Sequence, residues 1–209
     1  MVLAPLDVGV VGAGTAGASA ALLLARAGHR VRVYEAVPEP AAIGAGIMLQ
    51  PSGMGVLARL GLLGRVVERG ARVSRLRCVT EKRWTVLDLE YALYHPSAFG
   101  LGLHRGVLFD VLFGAARSEE RVEVRCDVRV ETLGHAGGKH VLKDAEGRAL
   151  GEHDLVVVAD GARSQLRDDT RSIVRRATMY PWGALWLVLP DHERAFGAEL
   201  FQVVNGTRE

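Results

Sequence analysis

Residues 7–35 read DVGVVGAGTAGASAALLLARAGHRVRVYE, and this stretch decides the fold. Val8, Val10 and Val11 form a short apolar run, the pattern of a strand covered on both faces. Gly12 permits the tight turn out of that strand. Gly14 has no side chain, so the backbone there can approach a pyrophosphate closely. Gly17 lets the following helix pack against the sheet. The helix runs through Ala18, Ala20, Ala21, Leu22, Leu24 and Ala25, and Gly28 is placed to end it. Its free N-terminal N–H groups and the positive end of its dipole face the phosphates. A second strand, 31–34, ends at Glu35, 18 residues beyond Gly17, close to the spacing at which a carboxylate accepts hydrogen bonds from ribose hydroxyls. An acid there suits an unphosphorylated adenosine ribose and repels a 2′-phosphate. A GxGxxG alone is weak evidence. Here strand, helix and acid stand in register, and the unit reads as dinucleotide-binding. A helix N-terminus contributes only about 0.3–2 kcal/mol to an anion, so other parts of the chain must hold the ligand.

A second apolar run, 155–159 (LVVVA), stops on Asp160-Gly161. It has the composition of a central parallel strand, and in open parallel sheets ligands lie at the carboxyl ends of the strands. An Asp-Gly pair is otherwise a common turn. After such a strand, Asp160 can meet a sugar hydroxyl and Gly161 allows close approach or a positive φ. Ser164 and Arg167 fall on the next turn or helix.

Between the two motifs lies a loop, 36–53, rich in Pro, Gly and Ala and long for a plain connection. Ser52 can cap a helix over 53–60, and strand-like runs follow at 73–80 and 84–89. Leu108, Val111, Leu112 and Ala115 have helical spacing, with Arg105 at the start of that helix. A cation there opposes the dipole. A nearby anionic phosphate, or simple solvation, would each account for it. Segments 122–124, 128–133 and 140–143, with a turn at Gly137-Gly138, resemble a three-stranded meander. His135, His140 and His153 stand near its turns and edges without a metal-ligand pattern and read as solvated loop histidines.

Composition sets the outer limits. The 209 residues suffice for one large or two small domains. No uninterrupted apolar stretch is long enough to span a membrane. The N-terminus has no basic region of the signal-peptide kind, so a cytoplasmic location is expected. A net charge of +2, from 26 basic and 24 acidic residues, argues against nucleic acid as the main partner. Cys78 and Cys126 read as buried free thiols in a reducing compartment.

Four segments together resemble the FAD-dependent monooxygenases of the p-hydroxybenzoate hydroxylase type. They are GAGTAG with Glu35, GAGIMLQPSG (44–53), LHRGVLFDVL (103–112) and DLVVVADGARSQLR (154–167). The last matches that family's Asp-Gly motif, with Ser164 and Arg167 at the family spacing. The resemblance implies an α/β fold: a Rossmann-like FAD-binding domain with a β-meander, plus the start of a substrate-binding β-sheet. It divides the chain into 1–72 (first FAD-binding part), 73–100 (substrate-domain strands), 101–175 (second FAD-binding part) and 176–209 (an incomplete substrate-binding sheet). It implies that Gly12, Gly14 and Gly17, with Thr15 and Ala16 between them, cradle the FAD pyrophosphate. Glu35 and Ala36 would lie at the adenosine ribose, Val130 beside the adenine, and Arg105 at the pyrophosphate or ribityl chain. Asp160 and Gly161 would complete the FAD site.

The implied activity is NAD(P)H-dependent hydroxylation of a small aromatic substrate by O2. FAD supplies the reactivity, so no catalytic side chain and no metal ligand is expected. Two features depart from the family pattern. Pro40-Ala41 stands where many relatives carry a basic residue, and a third motif, containing Gly-Asp, is absent after residue 189. The stretch 184–189 (ALWLVL) expects cover on both faces and could pair with 200–204 as a ribbon. An open sheet edge is then expected to promote homo-oligomers or aggregation. Substrate-side groups are expected near Trp182 and Trp186 or outside this chain. The alternative is a non-catalytic FAD- or ADP-binding remnant, or one half of a two-chain flavoenzyme.

Overall fold

The computed structural model describes residues 4–41, 44–167, 178, 181, 183–187, 189–193 and 197–205. In chain order the elements begin with β1 (Asp7–Val11), α1 (Thr15–Arg26), β2 (Arg30–Tyr34), β3 (Gly46–Leu49), α2 (Pro51–Arg59) and α3 (Leu63–Val67). Then come β4 (Ala71–Val73), β5 (Arg75–Thr80), β6 (Thr85–Glu90), β7 (Gly100–His104) and α4 (Arg105–Ser118). The series closes with β8 (Val122–Arg125), β9 (Thr132–Ala136), β10 (Lys139–Lys143), β11 (Ala149–His153), β12 (Leu155–Val158) and β13 (Glu199–Val204). The chain divides into two compact units, 1–42 with 108–183 and 43–107 with 184–209.

In the first unit a parallel sheet has the order β12-β1-β2-β8. Val8, Val10, Val31 and Val33 are buried in it, as the apolar runs require. Helix α1 buries Gly17, Ala18, Ala21, Leu22 and Ala25, a stripe of mainly small side chains that allows close packing on the sheet. Gly28, at φ +98°, ends the helix. Its N–H donates to Ala25 and that of His29 to Leu24, the paired bonds of a Schellman motif. The LVVV strand is parallel as expected and pairs with β1, but among the described residues it forms an edge of the sheet and not its centre.

The meander is β9-β10-β11, all antiparallel. Two expectations change here. Residues 122–124 belong to β8, which joins the parallel sheet beside β2, and 128–131 are not a strand. The third meander strand is β11, whose sequence ALGEH has no apolar run to announce it. The meander and the parallel sheet share a core of Val11, Tyr34, Val130, Leu142 and Leu166. His153 also departs from its sequence reading. It is fully buried at the end of β11, whereas His135 is exposed and His140 half-buried.

In the second unit one sheet has the order β3-β7-β4 and another β13-β5-β6. Strand β3 forms within the expected loop, and α2 starts at Pro51, where the fixed φ of proline suits the first helical position. The expected cap at Ser52 is therefore inside the helix, and Gln50 occupies the cap without a side-chain bond. Tyr91 is buried and donates its hydroxyl to Gln50 Oε1 at 2.6 Å. Strand β13 pairs in parallel with β5, not with 184–189, whose described residues form no strand. Trp182 lies outside the described residues.

Candidate cofactor cleft

The cleft grows from the end of β1. Gly12 turns the chain at φ +94°, and its N–H donates to the Tyr34 carbonyl at 2.8 Å. A Cβ on Gly12 would lie 2.5 Å from the Ala159 carbonyl oxygen, so glycine is required twice over. At Gly17 a Cβ would overlap the Gly12 carbonyl oxygen, which makes this residue the contact between α1 and the turn. Gly14 differs from both. Its φ is −62°, and a Cβ there would meet nothing within 4 Å. The protein leaves that flank open at the helix N-terminus, where backbone N–H groups lack intrahelical partners. Thr15 and Ala16 are exposed on the same first turn.

Glu35 follows β2. Its Oε2 accepts the Ala13 N–H at 2.8 Å and its Oε1 the Val37 N–H at 2.9 Å. The carboxylate thus ties the glycine turn to the end of β2 while keeping lone pairs for a further donor. A cleft of about 510 Å³ opens here, within the usual range for a small-molecule site. Gly12, Gly14, Glu35 and Ala36 form one wall, Val130 another, and Asp160 with Gly161 a third. The structure therefore brings seven of the expected residues around one space. Asp160 has no hydrogen-bond partner among the described residues, and Gly161 adopts φ +90°. Ser164 accepts the Arg167 N–H at 3.1 Å and so caps the short turn after the motif.

Sequence reading missed Tyr34, Ala159, Val128, Arg129, Arg163 and Gln165 as lining residues. Arg163 stands two residues after Gly161, inside the quoted motif, and that position was the available signal. Val128 and Arg129 gave no signal, because their approach follows from the Glu35 carbonyl accepting the Val128 N–H at 2.9 Å.

Arg105 belongs to the second unit. It begins α4, is exposed, and donates its N–H to the Ala45 carbonyl at 3.1 Å. Its side chain lies against Gly44, and it forms no ion pair among the described residues. A second cleft of about 230 Å³ lies at the opposite ends of the parallel strands, where Arg30, Arg32 and Arg121 are matched by Asp7, Glu120 and Glu123. Its charges balance and it sits at the amino ends of the strands, so the larger cleft is the stronger candidate. Among the described residues no group of His, Cys, Asp and Glu could hold a metal ion, and no helix is long and apolar enough to cross a membrane.

Residues 5–198 match the family model described as FAD binding domain. The chain belongs to this family. It is 31% identical over 169 residues to 6-hydroxynicotinate 3-monooxygenase of Pseudomonas fluorescens, covering 78% of this chain and 42% of that relative. It is 32% identical to 3-amino-4-hydroxybenzoate 2-monooxygenase of Streptomyces cremeus, covering 86% and 45%. Among solved structures it resembles tetrameric 2-methyl-3-hydroxypyridine-5-carboxylic acid oxygenase, with a TM-score of 0.66, 28% identity, and 80% and 43% of the two chains covered. The chain thus spans less than half the length of these relatives.

Proposed function

We propose that this chain binds FAD in the cleft around Gly14 and forms the FAD-binding part of an NAD(P)H-dependent monooxygenase acting on a small aromatic substrate. The observation that carries the reading is the open flank of Gly14 at a helix N-terminus, with Glu35 and Asp160, which has no hydrogen-bond partner among the described residues, on the walls of the same cleft. These groups fit the cofactor. Gly12, Gly14, Thr15, Ala16 and Gly17 take the diphosphate, Glu35 and Ala36 the adenosine ribose, Val130 the adenine, and Asp160 with Gly161 a polyol or phosphate. Arg105, which forms no ion pair among the described residues, is assigned to the FAD pyrophosphate or ribityl chain. Bound FAD supplies the redox chemistry, passing electrons from NAD(P)H to O2 so that one oxygen atom enters the ring and the other leaves as water. The protein's part is to bind, orient and exclude water.

Residues 1–72 and 101–175 are assigned to FAD binding and residues 73–100 and 176–209 to an incomplete substrate-binding sheet, in a cytoplasmic protein with free Cys78 and Cys126. The names of the relatives favour a hydroxylated pyridine or benzoate as substrate. The alternative is a chain that binds FAD or ADP without turnover, or one half of a two-chain flavoenzyme. Flavin content and an FAD titration of the purified chain test the binding. NAD(P)H consumption with hydroxylated product separates the enzyme from the binding module. A chain that takes up no FAD overturns the proposal.

A further inference from the structure

His153 is a titratable side chain with no exposure to solvent, and none of the cofactor motifs accounts for it. Its Nδ1 bonds the carboxylate of Asp7, the first residue of β1, and its Nε2 lies 2.8 Å from the hydroxyl of Tyr34, the last residue of β2. An ionised carboxylate only accepts, so Nδ1 carries a proton toward Asp7, while the Tyr34 hydroxyl stands between Nε2 and the Leu150 carbonyl, 3.4 Å away. Two glycines make room for the ring. A Cβ on Gly9 would lie 2.5 Å from His153 Cδ2, and one on Gly151 would overlap the Tyr34 hydroxyl. Glycine weakens a strand, so two glycines around one buried polar ring mark a position with its own requirement.

The order carboxylate, imidazole, hydroxyl is also that of an activated nucleophile. That use is excluded here: Tyr34 is 1% exposed, and burial pushes its phenol further above the ordinary range. The effect of the chain is on the backbone that Tyr34 carries. The Tyr34 carbonyl accepts the Gly12 N–H, and the adjacent Glu35 carboxylate accepts the Ala13 N–H. Tyr34 and its neighbour Glu35 thus carry both acceptors of the glycine turn.

We propose that His153 is a positioning residue for the cofactor cleft: held by Asp7, it fixes Tyr34, and through Tyr34 and Glu35 it holds the glycine turn. The role in binding rests on the FAD reading above; the role in holding the turn does not. The experiment uses the full chain, with Tyr34→Phe, His153→Leu and His153→Gln variants. Hydrogen exchange of the Gly12 and Ala13 amides is measured without ligand, and FAD affinity is measured by titration. Tyr34→Phe keeps the ring and removes only the hydroxyl. It is expected to speed exchange at those two amides about tenfold and to weaken FAD by a similar factor, the scale of one lost hydrogen bond. His153→Gln, which keeps a polar group facing Tyr34, should stay within about threefold of the parent, and His153→Leu should add nothing to Tyr34→Phe. Unchanged exchange at Gly12 and Ala13, acceleration spread evenly over β1 and β2, or unchanged FAD affinity in Tyr34→Phe overturns the proposal. If the parent chain binds no FAD, the functional reading fails while the exchange comparison still decides the positioning role.

Discussion

At the scale of single residues, three glycines that look alike in GAGTAG have different surroundings. Gly17 is pressed against the turn, whereas Gly14 faces open space. Gly17→Ala should therefore destabilise the fold, by about 1–3 kcal/mol as for other overpacked sites, and lose flavin with it. Gly14→Val should melt like the parent and still fail to hold FAD, because the added methyls fill only the ligand's space. Thermal melts and flavin retention of the two variants, side by side, check this. Glu35 has a dual place. Its carboxylate already accepts two backbone N–H groups, so Glu35→Ala should cost about 1–3 kcal/mol of stability even without ligand, in addition to weakened FAD binding. A ligand-free melt that matches the parent would remove Glu35 as a tie between the turn and β2.

At the scale of elements, β2 and β8 are joined by charge as well as by backbone. Glu123 bonds both Arg32 and Arg125, and these guanidiniums hold its carboxyl below the usual carboxylate range. A depressed folded pKa contributes stability that is present above the unfolded value of about 4.3 and is lost as pH falls through the folded one. Half of the Glu123 side chain is exposed, so the contribution is on the order of 1 kcal/mol or less. Glu123→Gln should lower the melting temperature slightly at pH 7 and converge with the parent only at acid pH, once Glu123 is protonated in the folded chain, which a pH series of melts would reveal. The order of the strands was only partly legible. The valines of β1 and of β2 are buried where these strands pair, so composition marks them, whereas Val156, Val157 and Val158 of β12 are only half-buried at the sheet edge. Strand β8 reads VEVR, a pattern equally suited to a meander, and only the bonds to β2 place it in the parallel sheet.

At the scale of the whole molecule, apolar side chains remain in solvent around β6. Trp84 is 74% exposed and Leu93 84%, with Val86 and Tyr94 also open. Among the described residues strand β6 is an edge of its sheet. Such a surface on an unpaired edge favours association. The chain is expected to self-associate at tens of micromolar protein or above, on the order of what weak edge contacts allow, and Val86→Lys should shift it toward monomer. Sedimentation velocity over a concentration series checks this, and a monomer at every concentration would count against it.

The sequence by itself determined the nucleotide-binding βαβ unit, the Asp-Gly strand and the family, because these depend on local spacing. A glycine turn, a helix start and an acid at the next strand end lie within 29 residues. What only the tertiary structure decided were contacts between segments distant in the chain. Examples are Asp7 with His153, β5 with β13, and Val128 to Val130 folded over the cleft. His153 shows the reason. Its neighbours in sequence, Glu152 and Asp154, are exposed and polar, and nothing in their pattern marks a buried ring. The site exists because Gly9 and Gly151, 142 residues apart, leave one shared space when β1 and β11 come together.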